Sequence, residues 1–273
     1  MLKFWKYSAT GNDFVVFDDR KGDVPVLDWQ AICDREKGIG ADGILLLRSS
    51  DKGDFKMTYL NADGGEVEMC GNGGRAISHF AKTELGINPK NTSSKLFEFE
   101  TLEGVYNSTV DGEFVRLNMT EFAEWKKFDI SPYYPAKNSI YMKTGVPHCV
   151  YLVHSVDEVD LMSHAPPIRY NEIFERGTNV NFIEKLGDHH IKMRTYERGV
   201  EGETLACGTG ATAVALACNE FFGFKDEVKI EAPGGELIIQ FEGEQGNFSN
   251  IYLCGKAEKI SSGSIDPKEY GQS

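Results

Sequence analysis

Hydrophobic and polar residues alternate along much of this chain, and this alternation predicts short β-strands. Residues 2–8 and 13–18 form the first two such segments, and Ala9-Thr10-Gly11-Asn12 between them has the composition of a turn. Further strand-like segments follow at residues 44–48, 55–60 and 95–118. The first half of the chain is therefore predicted to be mainly β-structure.

Three segments have helical patterns instead. Asp28 is a suitable N-cap for a helix that would continue to about residue 37. Residues 74–85 and 211–222 form two longer helical segments, and a glycine follows each of them. Because strands outnumber helices and tight turns connect many of the strands, the sequence predicts an α+β fold rather than a doubly wound parallel sheet.

Several landmarks occur twice in the same order. Cys70 and Cys207 lie 137 positions apart (70 to 207), and so do Gly40 and Gly177 (40 to 177). Thr10-Gly11 returns as Thr144-Gly145, 134 positions later (10 to 144), and residues 99–104 return as residues 230–235, 131 positions later (99 to 230). The shared order and spacing predict an internal duplication, with two pseudo-symmetric lobes and an active site in the cleft between them.

The boundaries of the two lobes follow from the repeat. We place the N-terminal lobe at residues 1–120 and the C-terminal lobe at residues 121–259. The last strand pattern, near residues 251–260, could pair with either lobe, so the C-terminal strand at about 260–273 is an optional addition to the first. Residues 263–273 are polar, and we expect their end to be loose.

Composition excludes several classes of protein. The chain has 273 residues, of which 41% are hydrophobic and 26% charged, as in an ordinary globular protein. Its net charge of −13 argues against binding to nucleic acid or to an anionic membrane surface. The N-terminus lacks the pattern of a signal peptide, and no hydrophobic run is long enough to span a bilayer. We therefore expect a cytoplasmic protein with reduced cysteines and a small-molecule substrate.

Two glycine-rich turns carry the candidate chemistry: Met69-Cys70-Gly71-Asn72-Gly73-Gly74-Arg75 and Ala206-Cys207-Gly208-Thr209-Gly210-Ala211-Thr212. Each places a cysteine before a predicted helix, whose first N–H groups are unpaired and carry partial positive charge. Such a helix end binds a carboxylate and favours the thiolate form of a nearby cysteine. We therefore predict two thiols on opposite sides of one carbon, which exchange its proton without a metal or other cofactor.

Other residues near these turns have weaker signals. His148 and Glu197 could tune or relay the protons of the thiols. His189-His190 is too poor a set of ligands to predict a zinc site, and neither glycine turn continues as a P-loop. The remaining cysteines are interpreted as small buried hydrophobic residues; they are Cys33, Cys149, Cys218 and Cys254.

With these motifs assembled, the chain resembles the diaminopimelate epimerase family over nearly its whole length. The resemblance rests on both cysteine turns and on four further blocks: Thr10-Gly11-Asn12-Asp13-Phe14, Gly38-Ile39-Gly40-Ala41-Asp42-Gly43, Gly145-x-Pro147-His148 and Glu175-Arg176-Gly177-x-Asn179-Val180. It implies two lobes, each with a curved, barrel-like mixed sheet around a central helix, and a homodimer. The implied reaction converts LL- to meso-diaminopimelate without a cofactor, in the biosynthesis of lysine and peptidoglycan precursors.

The resemblance also implies residue roles. Cys70 and Cys207 would be the acid/base pair, and we expect Cys70 to remove the proton of the LL isomer. The reacting carboxylate would be held by Gly71, Asn72, Gly208 and Thr209. The rest of the substrate would contact Asn12, Asn61, Asn179, Glu197 and Arg198. One position departs from the family pattern, because Val146 replaces an asparagine that is common before Pro147-His148.

Two alternatives remain open at this point. Proline and hydroxyproline racemases also use two cysteines, although the six blocks fit the diaminopimelate enzymes better. A thiol redox protein with a Cys70–Cys207 disulfide belongs to a different class, and it would bring the sulfurs to about 2 Å. An epimerase would hold them roughly 6–7 Å apart around the substrate carbon, and we expect its lobes to close on the substrate.

Overall fold

A computed structural model describes residues 1–67, 69–91, 95–119, 124–126, 130 and 133–271. These residues form two compact units. The first contains Met1–Asn118 together with Gly255–Ser273, and the second contains Met119–Cys254. The division falls within a few residues of the lobe boundaries proposed from the repeat, although much of the expected seam lies outside the described residues.

The first unit is a mixed sheet with one long helix. Its strands are β1 (Leu2–Ala9), β2 (Asn12–Asp18), β3 (Gly43–Arg48), β4 (Phe55–Asn61), β5 (Glu66–Val67), β6 (Phe97–Glu100), β7 (Val105–Asp111), β8 (Phe114–Asn118) and β18 (Glu258–Ile265). Strand β2 runs antiparallel to β1 and parallel to β3, and β4 pairs antiparallel to β3 and parallel to β6. Strands β6, β7 and β8 continue as antiparallel neighbours, while β18 covers the other edge of β1.

The second unit repeats this topology. Its strands are β9 (Glu124–Lys126), β10 (Asn138–Thr144), β11 (Val146–Leu152), β12 (Asn179–Gly187), β13 (His190–Glu197), β14 (Gly202–Thr204), β15 (Glu227–Ala232), β16 (Gly235–Glu244) and β17 (Asn247–Lys256). Strand β11 runs antiparallel to β10 and parallel to β12, and β13 pairs antiparallel to β12 and parallel to β15. The same sequence of parallel and antiparallel neighbours in both units confirms the predicted α+β duplication.

Each sheet surrounds one helix. Helix α2 (Gly71–Thr83) packs on β1, β2, β3, β4, β7, β8 and β18, and every residue from Gly71 to Ala81 is buried. Helix α4 (Gly208–Phe222) packs on β10, β11, β12, β15 and β16, and its buried side is rich in alanine. Small residues let a helix lie close to strands on several sides, which explains how both helices are buried in spite of the polar side chains in α2.

The two remaining helices are short and lie outside these centres. They are α1 (Trp29–Cys33) in the first unit and α3 (Leu161–Arg169) in the second. The prediction that α1 reaches residue 37 is wrong. Asp28 caps it as expected, but Asp34 accepts hydrogen bonds from the N–H groups of Glu36 and Lys37 at 2.8 Å, and this side-chain turn competes with further helix.

The C-terminal region also differs from its prediction. Instead of one strand near residues 251–260, β17 ends at Lys256 and β18 begins at Glu258. The segment predicted to be loose completes β18 as far as Ile265 and continues into a short 3-10 helix at Pro267–Tyr270. Ile265 is buried in the core with Leu27, so an apolar contact distant in sequence orders this polar tail.

Candidate active site

Cys70 lies at the N-cap of α2, in extended backbone immediately before the first helical residue. The N–H of Gly73 donates to its Sγ at 3.5 Å, so the sulfur faces the open end of the helix. Glycine is needed here for packing. A Cβ on Gly74 would come within 2.5 Å of Met69 Cε and 3.1 Å of Leu117 Cδ2. The glycine-rich turn thus lets the helix start deep inside its sheet.

Asn12 faces the Cys70 sulfur. Its Nδ2 donates to Asp42 Oδ2 at 2.6 Å, which turns its Oδ1 toward the opposite side. That oxygen lies 3.8 Å from Cys70 Sγ and 3.4 Å from Asn72 Nδ2. Because a carboxylate can only accept, the orientation of the Asn12 amide is determined, and the group that meets Cys70 is a carbonyl oxygen.

An ionic cluster holds Asp42 and the start of β2 in place. Arg35 donates to Asp13 and Asp42 at 2.8 and 2.6 Å, and Lys6 lies 3.0 Å from Asp13. Burial opposes ionisation of Asp13, but the hydrogen bonds from Arg35 and Lys6 outweigh it and lower the pKa of this carboxyl. Asp13 is therefore charged at neutral pH, and its ion pair with Arg35 places the guanidinium that also binds Asp42, the acceptor that orients the Asn12 amide.

A buried arginine supports the same helix end. Arg75 is fully buried and donates to Asn72 Oδ1 at 2.7 Å, to Thr10 Oγ1 at 3.1 Å and to the carbonyl of Lys256 at 3.0 Å. Its bond to the Asn72 oxygen directs Asn72 Nδ2 toward Asn12. The first turn of α2 is thereby tied to the β1–β2 turn through side-chain amides.

Asn61 ends β4 at the same end of the sheet. It pairs with Gly43 of β3. Gly43 in turn pairs with Phe14 of β2, which lies two residues after Asn12. The backbone of Asn61 forms a tight turn with Gly64 and Gly65. The first unit therefore gathers Asn12 and Asn61 at one end of its sheet, and Asn12 and Asn72 close to Cys70.

Cys207 occupies the equivalent N-cap position of α4, with the same extended backbone. It is buried, and its carbonyl accepts the N–H of Ala211 at 2.8 Å. Its Sγ lies 3.5 Å from Thr209 Oγ1. Gly210 is required by close packing, since a Cβ there would lie 2.8 Å from Asn181 Oδ1 and 3.2 Å from the Cys207 sulfur.

His148 is the next group in this hydrogen-bonded chain. Its Nε2 lies 3.0 Å from Thr209 Oγ1, and its Nδ1 lies 3.2 Å from Asn181 Nδ2. The imidazole is fully buried. Burial, reinforced by the positive charge of Arg198, lowers the pKa of His148 to about 3. His148 is therefore neutral at pH 7, and it reaches Cys207 only through Thr209.

The remaining predicted residues of the second unit line the adjacent strand ends. Asn179 begins β12, donates to the carbonyl of Pro147 at 2.9 Å and accepts the N–H of Arg198 at 2.8 Å. Both ends of its amide thus bind backbone. Glu197 ends β13, and burial raises the pKa of its carboxyl. The guanidinium of Arg198 donates to the carbonyl of Arg176 at 3.2 Å.

Sequence reasoning missed three residues in these networks: Asp42, Arg75 and Asn181. Asp42 lies in a block that was recognised, but only the turn composition of that block was interpreted. Asn181 could have been found, because it follows Asn179 at the period of a strand and so points to the same face. Arg75 had no signal, since an arginine after a glycine turn is usually exposed.

Comparison with known proteins identifies the family. A sequence model described as diaminopimelate epimerase matches residues 4–123 and 140–260. A diaminopimelate epimerase from Flavobacterium psychrophilum is 37% identical over 265 residues, which cover 95% of this chain and 98% of the relative. The enzyme of that name from Chlorobaculum tepidum is 39% identical and covers 94% of this chain and 99% of its own length. This chain belongs to the diaminopimelate epimerase family.

Solved structures show how widely the fold of the diaminopimelate epimerase family is shared. A PhzF-family phenazine biosynthesis protein from Bacillus anthracis aligns with a TM-score of 0.75 at 17% identity, over 97% of this chain and 98% of that one. A hydroxyproline epimerase from Agrobacterium vitis aligns with a TM-score of 0.65 at 13% identity, over 97% and 90% of the two chains. At these identities the likeness concerns the fold alone.

The described residues contain neither a helix that could span a membrane nor a cluster of metal-binding side chains. No helix in the ranges given above is both long and apolar enough to cross a lipid bilayer. Within the same part of the chain, no group of three or more His, Cys, Asp or Glu side chains is arranged to hold a metal ion.

Proposed function

We propose that this chain catalyses the interconversion of LL- and meso-diaminopimelate by inverting one α-carbon. The observation that carries the proposal is that each unit places one cysteine, Cys70 or Cys207, at the N-cap of its buried central helix. Membership of the diaminopimelate epimerase family supports the choice of substrate.

The proposed reaction moves two protons. One cysteine, as its thiolate, takes the proton from the α-carbon and becomes a thiol. The other cysteine, as a thiol, delivers its own proton to the opposite face and becomes a thiolate. The configuration inverts and the total number of protons is unchanged. The two cysteines have then exchanged protonation states, so the protein is ready to convert the product isomer back.

Charge on the substrate carboxylate grows as the proton leaves, and this is the step that needs help from the protein. The free N–H groups of a helix end are fixed dipoles that can bind this charge without reorganisation. We assign this role to Gly71 and Asn72 in the first unit and to Gly208 and Thr209 in the second. Losing one such donor costs about 3–4 kcal/mol in analogous sites.

The rest of the substrate needs polar contacts from both units. We propose Asn12 and Asn61 from the first, and Asn179, Glu197 and Arg198 from the second, as contacts to the amino groups and the distal carboxylate. Burial raises the pKa of the Glu197 carboxyl, which is the direction expected of a group that takes part in proton transfer. We also propose that the site lies in a cleft, needs no cofactor, and belongs to a cytoplasmic homodimer.

Hydrogen exchange tests the reaction directly. LL-diaminopimelate incubated with the protein in heavy water should gain one deuterium at an α-carbon while the meso isomer forms, as followed by NMR and chiral chromatography. If neither deuterium nor meso isomer forms, the proposal is wrong. The Cys207→Ala variant is the control for exchange that does not involve the site.

A substrate panel and a reductant separate the alternatives. Turnover of L-proline or trans-4-hydroxy-L-proline, but not of diaminopimelate, would place the chain with the proline racemases. Activity that increases with dithiothreitol and disappears on oxidation fits reduced catalytic thiols. A protein that cycles between thiol and disulfide with a partner, and shows no exchange, would favour the redox function.

A further inference from the structure

The hydrogen-bonded chain behind Cys207 has a direction that can be deduced from its far end. The backbone carbonyl of Cys149 can only accept, and Asn181 Nδ2 lies 3.0 Å from it. The hydroxyl of Thr195 donates to Asn181 Oδ1 at 2.9 Å, which is consistent with this placement of the amide. The nitrogen of Asn181 therefore faces both Cys149 and His148.

The next bond fixes the tautomer of His148. Because Asn181 Nδ2 donates to His148 Nδ1, this ring nitrogen carries no proton in the neutral imidazole. The proton then resides on Nε2, which donates to Thr209 Oγ1 at 3.0 Å. His148 cannot accept from Thr209 in this state.

The hydroxyl proton of Thr209 must then point elsewhere. Cys207 Sγ lies 3.5 Å from this oxygen, within reach of an O–H donor to sulfur. The links from the Cys149 carbonyl to Thr209 follow in turn, and the Cys207 sulfur is an acceptor within reach of the Thr209 hydroxyl. Thr209 therefore presents a hydrogen-bond donor to Cys207, which stabilises the thiolate.

The corresponding chain in the first unit has the opposite direction. Asp42 accepts from Asn12 Nδ2, and so Asn12 presents its carbonyl oxygen to Cys70 Sγ at 3.8 Å. A carbonyl oxygen accepts an S–H proton and repels a thiolate. The N–H of Gly73 also donates to this sulfur, at 3.5 Å, whereas the Cys207 sulfur makes no cap bond, so at Cys70 the Asn12 carbonyl must outweigh one weak backbone donor.

We propose that Asn181 and Asp42 are positioning residues that set opposite protonation states, so that the resting protein holds Cys207 as thiolate and Cys70 as thiol. Asn181 acts through His148 and Thr209, and Asp42 acts through Asn12. The catalytic meaning of this asymmetry rests on the proposed function. It makes Cys207 the base of the resting form and Cys70 its acid, so that Cys70 could remove a proton from the LL isomer, as expected from the resemblance, only in the exchanged state.

Other charged residues near the two cysteines are Arg198 and Glu197 in the second unit and Asp13 and Asp42 in the first. Arg198, at the end of β13, lies close enough to lower the pKa of His148 and so keeps that ring neutral. Glu197 lies beside it, and burial raises the pKa of its carboxyl. In the first unit, Asp13 and Asp42 are paired with Arg35.

Ultraviolet absorbance of thiolates near 240 nm tests the inference between pH 5 and pH 9. Cys33 and Cys149 do not contribute in this range, because burial raises the pKa of each to about 12, and burial also raises the pKa of Cys218. With the buried Cys254 replaced by Ala in both, the Cys70→Ser variant then reports mainly on Cys207, and the Cys207→Ser variant on Cys70. We expect the Cys207 midpoint to lie at least about one pH unit lower, a tenfold difference in thiolate at equal pH.

A matched pair of substitutions tests the role of the chain itself. In the Cys70→Ser background, Thr209→Val removes the hydroxyl and should raise the Cys207 midpoint by about one pH unit. Thr209→Ser keeps the hydroxyl and should leave the midpoint unchanged. Asn181→Leu should raise it as Thr209→Val does. Equal midpoints for the two cysteines, or no shift in Thr209→Val, would overturn the inference.

Alkylation of the unmodified protein provides a second measurement if a variant fails to fold. Iodoacetamide rates at Cys70 and Cys207, measured by peptide mass spectrometry across the same pH range, should give the lower midpoint for Cys207. The reverse order would contradict the inference. An inactive protein with the expected midpoints would count against the proposed reaction alone, and an active epimerase with reversed midpoints would count against this asymmetry alone.

Discussion

The starts of α2 and α4 share an extended backbone at the N-cap and differ in the side chains that follow the cysteine. Each has an N-cap cysteine, then a glycine, then a polar residue and a second glycine; the polar residue is Asn72 in α2 and Thr209 in α4. Asn72 Nδ2 lies 3.4 Å from Asn12 Oδ1, while Thr209 Oγ1 lies 3.5 Å from Cys207 Sγ. Duplication thus preserved the start of the helix and allowed the side chains around each sulfur to diverge.

The groups that hold the neighbours of each cysteine in place, called its support below, also differ between the two units. The first is ionic, with Arg35 between two aspartates at the edge of the sheet. The second is neutral and buried, and runs through an amide, an imidazole and a hydroxyl. An epimerase must treat two mirror-related faces with one active site, and two unlike partners allow one thiol and one thiolate to coexist.

The largest expected effect is the loss of either cysteine. Cys70→Ala and Cys207→Ala should each reduce epimerisation by about 10²–10⁴-fold, because each removes one of two acid/base groups. Circular dichroism should show the fold unchanged. Cys33→Ala is the control, since Cys33 is buried in the core of the first unit and is not one of the proposed acid/base groups. Near wild-type activity in either of the first two variants would exclude a two-cysteine reaction.

The next effect concerns the ionic support. Asp42→Asn should lower the turnover rate by about tenfold, since it removes the charge that orients Asn12 toward Cys70 and that is worth roughly 1.5–3 kcal/mol as a hydrogen bond. Asp18→Asn is the matched control. Asp18 ends β2, the strand that Asn12 begins, and it pairs with Arg20 at the surface. If both variants lose activity equally, the effect is general to the strand and not specific to Asn12.

The neutral support predicts sensitivity to acid. The folded pKa of His148 is about 3, below its unfolded value of about 6.5, so the unfolded chain binds more protons between these values. Stability is therefore complete above pH 6.5 and falls by about 1.4 kcal/mol per pH unit below it. Urea unfolding of the wild type and of His148→Gln at pH 7, 6 and 5 measures this difference.

The His148→Gln variant should lose less stability than the wild type as the pH falls. His189→Gln, at an exposed histidine, should follow the wild type. Parallel pH curves for the wild type and His148→Gln would show that the second support is not the acid-sensitive element.

The smallest effect compares one glycine in each helix. Gly210→Ala should destabilise the protein by about 1–3 kcal/mol, because its Cβ would lie 2.8 Å from Asn181 Oδ1, which hydrogen bonds hold in place. Gly73→Ala meets Leu45 Cδ2 at 3.2 Å, where a flexible side chain can move. Melting temperatures of the two variants measure the contrast. Equal losses would mean that the second support is no more rigid than the first.

Much of the fold could be predicted from local sequence. The strands of residues 2–8, 13–18 and 44–48 were correct to within a residue or two, because alternation and turn residues act locally. The C-terminal tail could not be predicted, because Ile265 is ordered by packing in one core cluster with Leu27, which lies near the other end of the chain. The end of α1 was missed for a local reason, the turn made by the Asp34 side chain.

The sequence by itself determined the family, the duplication and the two helix-capping cysteines, because these depend on residue identity and order along the chain. Only the tertiary structure decided which group each sulfur meets. Asp42 and Asn12 are 30 positions apart, and Asn181 and His148 are 33 apart, so no local pattern reveals their contact. The direction of a hydrogen-bonded chain depends on acceptors such as the Cys149 carbonyl, whose position is set when parallel strands pair.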